Sequence, residues 1–128
     1  MLAAILLPAA AAQAHAYLAR SNPADGATLT SAPRQLRLAF SESVVLTATR
    51  VDVIGDGGHH YTPTSLRLIA GESTEDPAQV VAAIPALPRG AYRVSWQTLS
   101  ADDLHTTRGV FTFGVRQAVQ ASPFVEPA

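Results

Sequence analysis

The stretch "YRVSWQTLSADDLHTTRGVFTFGV", residues 92–115, decides the fold. Tyr92, Val94 and Trp96 alternate with Arg93, Ser95 and Gln97; Phe111, Phe113 and Val115 alternate with Thr112 and Gly114. A period of two, not 3.6, marks strands with one buried face. Between the two runs, Asp102, Asp103 and His105 fall within four positions of a chain that carries four histidines.

Outward from that stretch the same pattern recurs. Leu36, Leu38 and Phe40 alternate with Gln35, Arg37 and Ala39, Val51 and Val53 with Arg50 and Asp52, and Leu66 and Leu68 flank Arg67. Val80 to Ile84 is a short continuous apolar run, as in a strand covered on both faces. "NPADGA" (Asn22 to Ala27) and "LPRG" (Leu87 to Gly90) read as turns, and "GDGGHH" (Gly55 to His60) as a hairpin loop. Short strands with regular turns, and no long amphipathic helical period, predict an all-β Greek-key sandwich. Trp96, the one tryptophan, is expected to fill the space between the sheets.

Length and composition suit one packed domain: 128 residues, 48% hydrophobic and 15% charged. The net charge of −1 leaves no electrostatic footprint for nucleic acid or anionic lipid. All nine basic side chains are arginine. With no cysteine, disulfides, thiolate metal sites and cysteine nucleophiles are excluded.

The chain opens "MLAAILLPAAAAQAHA". Its apolar run is shorter than the roughly 20 residues of a membrane span. It fits the hydrophobic part of a signal peptide, although no basic residue precedes it, and Ala12-Gln13-Ala14 has the small-x-small form of a cleavage site. The expected organisation is a signal peptide over residues 1–14, a domain over 15–118 and a loose tail over 119–128. No other region reads as a membrane anchor. The alternative to cleavage is an uncut apolar helix. Cleavage after Ala14 makes His15 the first mature residue, offering an amine and an imidazole together.

If residues 103–105 are extended, Asp103 and His105 project from one face. With His15 they make a nitrogen and oxygen donor set that suits tetragonal Cu(II); Zn(II) accepts the same groups in a tetrahedron. His59 and His60 form a weak auxiliary candidate that reads first as a solvated turn. Glu42 reads as structural or solvated. Ser100, Asp102 and His105 are too close in sequence to read as a hydrolase triad.

Three motifs in order resemble the CopC family of periplasmic copper-binding proteins: "HAYLARSNPADGATL" from His15, "APRQLRLAFSESV" (Ala32 to Val44), and the stretch quoted first. The resemblance covers nearly all of the chain after residue 14. It implies an immunoglobulin-like or cupredoxin-like sandwich of about seven strands. It also implies a non-enzymatic role in copper homeostasis or resistance as a carrier or chaperone, with a periplasmic or otherwise exported location. A membrane copper transporter is the implied partner. The family's Cu(II) ligands, carried over, become His15, Asp103 and His105, holding one ion. The family pattern Ser-x-Asp-x-His is stretched here by one residue. Counting from Ser100 therefore picks Asp102, and counting back from His105 picks Asp103; same-face spacing favours Asp103. The Met-rich Cu(I) loop of some members has no counterpart, since the one methionine is Met1. Two other readings compete: a copper-dependent oxidative enzyme with an N-terminal histidine brace, and a metal-free immunoglobulin-like interaction module.

Overall fold

The computed structural model describes residues 16–69 and 79–122, and the expected signal peptide, with His15, lies outside them. Among the described residues nine strands form two sheets. One sheet runs β1 (Leu18–Asn22), β3 (Gln35–Phe40), β7 (Gln79–Ala83), β6 (Ser65–Ile69). The other runs β2 (Ala27–Leu29), β9 (Thr106–Val115), β8 (Gly90–Leu99), β4 (Arg50–Ile54), β5 (His60–Tyr61). Every pairing is antiparallel except β2 with β9. Only β2 and β5 are shorter than five residues, so the remaining seven carry the expected sandwich.

Most of the period-two residues face inward as their spacing requires; of the pair flanking Arg67, Leu66 is only partly buried and Leu68 is exposed. Leu36, Leu38, Phe40, Val51, Val53, Tyr92, Val94, Trp96, Phe111, Phe113 and Val115 are all buried. In β7, Val80 and Ala82 face the core, and Val81 is buried on the outer side between its register partners Arg37 and Arg67. Arginine stems can cover such a residue while their heads stay in water.

Trp96 joins the two layers. Its ring meets Phe40 of the opposite sheet edge-on at 5.2 Å. It also lies over its cross-strand partner Gly109, where an added Cβ would stand 2.6 Å from Trp96 Cζ2. The glycine is therefore a packing requirement rather than a turn residue. At the other end of β8, Tyr92 stacks on Phe113, meets Tyr61 edge-on and donates its hydroxyl to the Pro88 carbonyl.

The turns form where the sequence places them. Gly26 takes φ 83°, and the neighbouring Asp25 carboxylate accepts the Thr112 N–H at 3.0 Å, so "NPADGA" also clamps β9. "GDGGHH" links β4 to β5 through a short 3-10 turn, Asp56–Gly58, with positive φ at Gly57 and Gly58. β1 was not marked by alternation: it is an edge strand whose residues are at most half-buried. The tail departs from the loose end expected of it as far as residue 122. Thr112 Oγ1 donates to the Gln120 carbonyl at 2.5 Å, and the Ser122 N–H donates to Asp25 Oδ1 at 2.9 Å.

Two outcomes follow. Gly109→Ala overpacks Trp96 and is expected to cost about 1–3 kcal/mol, read as a lower urea midpoint with an unchanged slope. Burial, then Tyr61 and Asp56, raises the pKa of Tyr92 above its usual value. The folded chain thus holds that proton more tightly than the unfolded one. Its contribution is complete below about pH 10 and is lost as pH rises through the raised value. No lysine titrates in that range. Melting temperatures taken from about pH 9 to 11 should therefore fall, and Tyr92→Phe should flatten the fall.

Candidate metal centre

Three segments converge at one end of the sandwich: residues 16–17 before β1, residues 41–45 after β3, and the loop from β8 to β9. The loop closes when the Ser100 N–H donates to the His105 carbonyl and the Leu104 N–H donates to the Ser100 carbonyl, both at 3.0 Å. Residues 101–103 form the turn, and Leu104 closes it in the left-handed region at φ 56°. An αL residue at this position is a common way to close a hairpin loop. A leucine there carries a backbone cost of about 1–2 kcal/mol.

That geometry corrects the reason for pairing Asp103 with His105. The segment is not extended, so period-two alternation does not align them. They meet because Asp103 Oδ1 accepts the backbone N–H of His105 at 3.1 Å. Asp102 is tied the other way, its N–H donating to Ser100 Oγ at 3.4 Å. Asp102, Asp103 and His105 are all exposed.

Ser100 is fully buried beneath this loop. Its hydroxyl donates to Glu42 Oε2 at 3.1 Å, which gives Glu42 a definite structural job. The segment after β3 holds the loop by main-chain bonds: Val45 N–H to the Leu99 carbonyl and Ala101 N–H to the Ser43 carbonyl, both at 2.9 Å. The start of the described chain is held in the same place. Ser41 and Tyr17 exchange two bonds, Ser41 N–H to the Tyr17 carbonyl at 2.8 Å and Tyr17 N–H to Ser41 Oγ at 3.0 Å. Ala16 is fully buried, and its carbonyl accepts Thr107 Oγ1 at 2.5 Å. Ser41 and Thr107 are not singled out in the sequence, and Ser100 only as a member of the Ser-x-Asp-x-His pattern and of the rejected triad, because buried hydroxyls look like any others until the segments they join are known.

Among the described residues no three His, Asp or Glu side chains are grouped closely enough to hold a metal ion. The loop supplies Asp103 and His105, and the third predicted ligand, His15, lies outside the described residues.

His59 and His60 do not join this site or each other. His60 pairs with Ile54, and Ile54 with Arg93, six residues up β8 from Leu99. At about 3.4 Å per residue that separation is roughly 20 Å. Strand alternation sends the neighbours to opposite faces. The His59 ring packs on Tyr61 at 4.6 Å, while His60 Nδ1 lies 2.5 Å from Asp52 Oδ2.

Thr107→Val keeps the shape but leaves the buried Ala16 carbonyl without its donor. The expected loss is about 1–3 kcal/mol in urea unfolding, together with faster aminopeptidase trimming of the N-terminal segment.

The CopC domain model matches residues 18–116. Copper resistance protein C of Pseudomonas syringae pv. tomato is 30% identical over 118 residues, 91% of this chain and 92% of that protein. The crystal structure of PcoC, a methionine-rich copper resistance protein from Escherichia coli, is similar at a TM-score of 0.61 and 29% identity. The match covers 79% of this chain and 98% of that one. A CopC from Methylosinus trichosporium OB3b shares the fold at a TM-score of 0.66, with 20% identity over 79% of this chain and 93% of that one.

Proposed function

Since the chain belongs to the CopC family, we propose that it is a copper-binding protein of copper homeostasis and resistance, a carrier rather than an enzyme. One Cu(II) ion is its cargo. The ligands are the amine and imidazole of His15, the carboxylate of Asp103 and the imidazole of His105. The exported mature chain begins at His15 in this reading, and a membrane copper transporter is the partner that exchanges the ion.

The observation that carries the reading is the bond from Thr107 to Ala16. It anchors Ala16, the first described residue, to the chain segment that follows His105. Thr107 lies two residues beyond His105 in the same chain segment. A free amine at residue 15 would thus start beside the loop that carries His105. Asp103 is favoured over Asp102 because its carboxylate already sits against the backbone of His105.

The donor chemistry supports the oxidation state. Imidazole, amine and carboxylate suit Cu(II), and a chain whose one methionine is Met1 offers no thioether pair for Cu(I). In this respect it departs from the methionine-rich PcoC. A carboxylate in the remaining strong position also disfavours the open site that oxygen chemistry needs. Because imidazole and amine bind metal only as free bases, acidification releases the ion.

The test starts with the exported protein. Mass spectrometry should show a chain beginning at His15, and electron paramagnetic resonance should show one tetragonal copper with nitrogen and oxygen ligands. His105→Ala, or acetylation of the N-terminus, should weaken binding by on the order of 100-fold or more. Asp103→Asn should change the spectrum, and Asp102→Asn should not. Stoichiometric Cu(II) retained after His105→Ala on an N-terminally blocked chain would overturn the assignment.

A further inference from the structure

The net charge of −1 hides an uneven split between the sheets. The strands β1, β3, β7 and β6 hold Arg20, Arg37 and Arg67 and not one Asp or Glu. All three arginines belong to the outer face of that sheet. Arg37 and Arg67 flank Val81, whose neighbours Val80 and Ala82 face the core. Arg20 stands opposite Ala39, whose neighbours Leu38 and Phe40 face the core.

Arg20 reaches the outer face through a β-bulge. Leu18 pairs with Phe40 and packs on the core, but Arg20 pairs with Ala39, so Ala19 and Arg20 together oppose one residue of β3. Regular alternation from Leu18 would send Ala19 outward and Arg20 towards the core. The bulge brings the guanidinium out instead. Bulges re-aim side chains in this way beside functional sites.

A hollow lies where that guanidinium emerges. Ala39 is short, and longer side chains stand around it: Arg20 and Asn22 on β1, Arg37 on β3 and Gln79 on β7. Together they line a cavity of about 280 Å³. Two guanidiniums and two carboxamides thus border one space from three strands. Arginine forks match the oxygens of phosphate and carboxylate, and amide NH2 groups donate beside them. A single fork satisfies a planar carboxylate. Donors on three sides suit a tetrahedral anion, which has more oxygens to offer.

We propose that this cavity binds a phosphate group, free or carried on a lipid headgroup. Arg37 and Arg20 supply charged donors, and Asn22 and Gln79 neutral ones. Arg67, across Val81 from Arg37, adds to the positive field that draws the anion in. Arg20 already interacts with another group, and the five N–H donors of a guanidinium leave some for an anion. The β6 to β7 connection carries Glu72, Glu75 and Asp76, which are the rival anions within the chain. The cavity belongs to the sheet opposite the one that carries the loop of Asp103 and His105. The inference does not rest on the copper reading, and either can fail alone.

The test titrates the copper-free full chain with inorganic phosphate in about 0.15 M salt, where charges beyond about 8 Å are screened. Arginine Nε–H resonances report the binding, which should saturate and move the Arg37 signal. Arg37→Gln and Arg20→Gln should each weaken it at least about tenfold. Arg108→Gln removes the same charge from the other sheet and should leave the affinity unchanged. All three side chains are exposed, so the fold should survive each change. Phosphatidylglycerol vesicles, set against phosphatidylcholine, form the second arm. Arg37-dependent binding to inorganic phosphate supports a free ligand; Arg37-dependent binding to the vesicles alone supports the headgroup. No saturable, Arg37-dependent binding in either arm would overturn the proposal. So would equal weakening by Arg108→Gln, or binding that emerges only after Glu72→Gln, Glu75→Gln and Asp76→Asn together, since the arginines would then serve the chain's own acids.

Discussion

The packing of Trp96 over Gly109 and against Phe40 is the constraint on which the rest of the structure depends. It fixes the spacing of the sheets at the end where the Ser100 to His105 loop sits. Phe40 is followed directly by Ser41 and Glu42, which hold Tyr17 and Ser100. Gly109 lies two residues after Thr107, which holds Ala16. One aromatic contact therefore sets the relative positions of all three segments that converge on the loop. Packed interiors transmit small displacements because they have few voids to absorb them. The proposed ligands Asp103 and His105 stand on a segment whose anchors are a few residues from this contact.

Most of the fold was legible because burial writes itself into a period of two. The strands that alternate cleanly, β3, β4, β8 and β9, are those with one buried face. β1 was not, because an edge strand with little buried surface has no reason to alternate. The loop was legible in its residues but not in its geometry. Asp103 and His105 were picked by an extended spacing that Leu104, at φ 56°, abolishes; an Asp carboxylate on the His105 N–H replaces it. Nothing in a leucine announces a left-handed backbone, since that conformation is imposed by the closing bonds at Ser100. The same limit applies to His59 and His60. Adjacent histidines suggest a chelate in a string of letters, yet a strand turns neighbours to opposite faces.

Net charge conceals how the charges are sorted. Glu42, Asp102 and Asp103 gather around the Ser100 to His105 loop, and no arginine lies in residues 41–46 or 99–107. Six of the nine arginines stand in strands, and Arg34, Arg89 and Arg116 in connections. Arg50 and Arg108 are both register partners of Gln97, and Arg37 and Arg67 of Val81. A near-neutral chain thus presents a negative end, and such a field raises the local concentration of cations and speeds their capture.

The loop also shows why a ligand set can be exposed and still ordered. Asp103 and His105 have little packing around them, so side-chain burial cannot hold them. Main-chain bonds do: Ser100 bonds on both sides of the turn, and Ser43 and Val45 hold its flank. The left-handed Leu104 is the strained element of that arrangement, and strain of this kind persists only where surrounding structure over-determines it. Here the surrounding structure is the buried Ser100, bound to Glu42 through its side chain, with its neighbours Leu99 and Ala101 bound to Val45 and Ser43 of the same segment. Asp103 and His105 are thereby set by the backbone of the hairpin, while their side chains stay exposed to water. The proposed role as a carrier calls for that combination, because a site buried well enough to order its own side chains would release its cargo slowly.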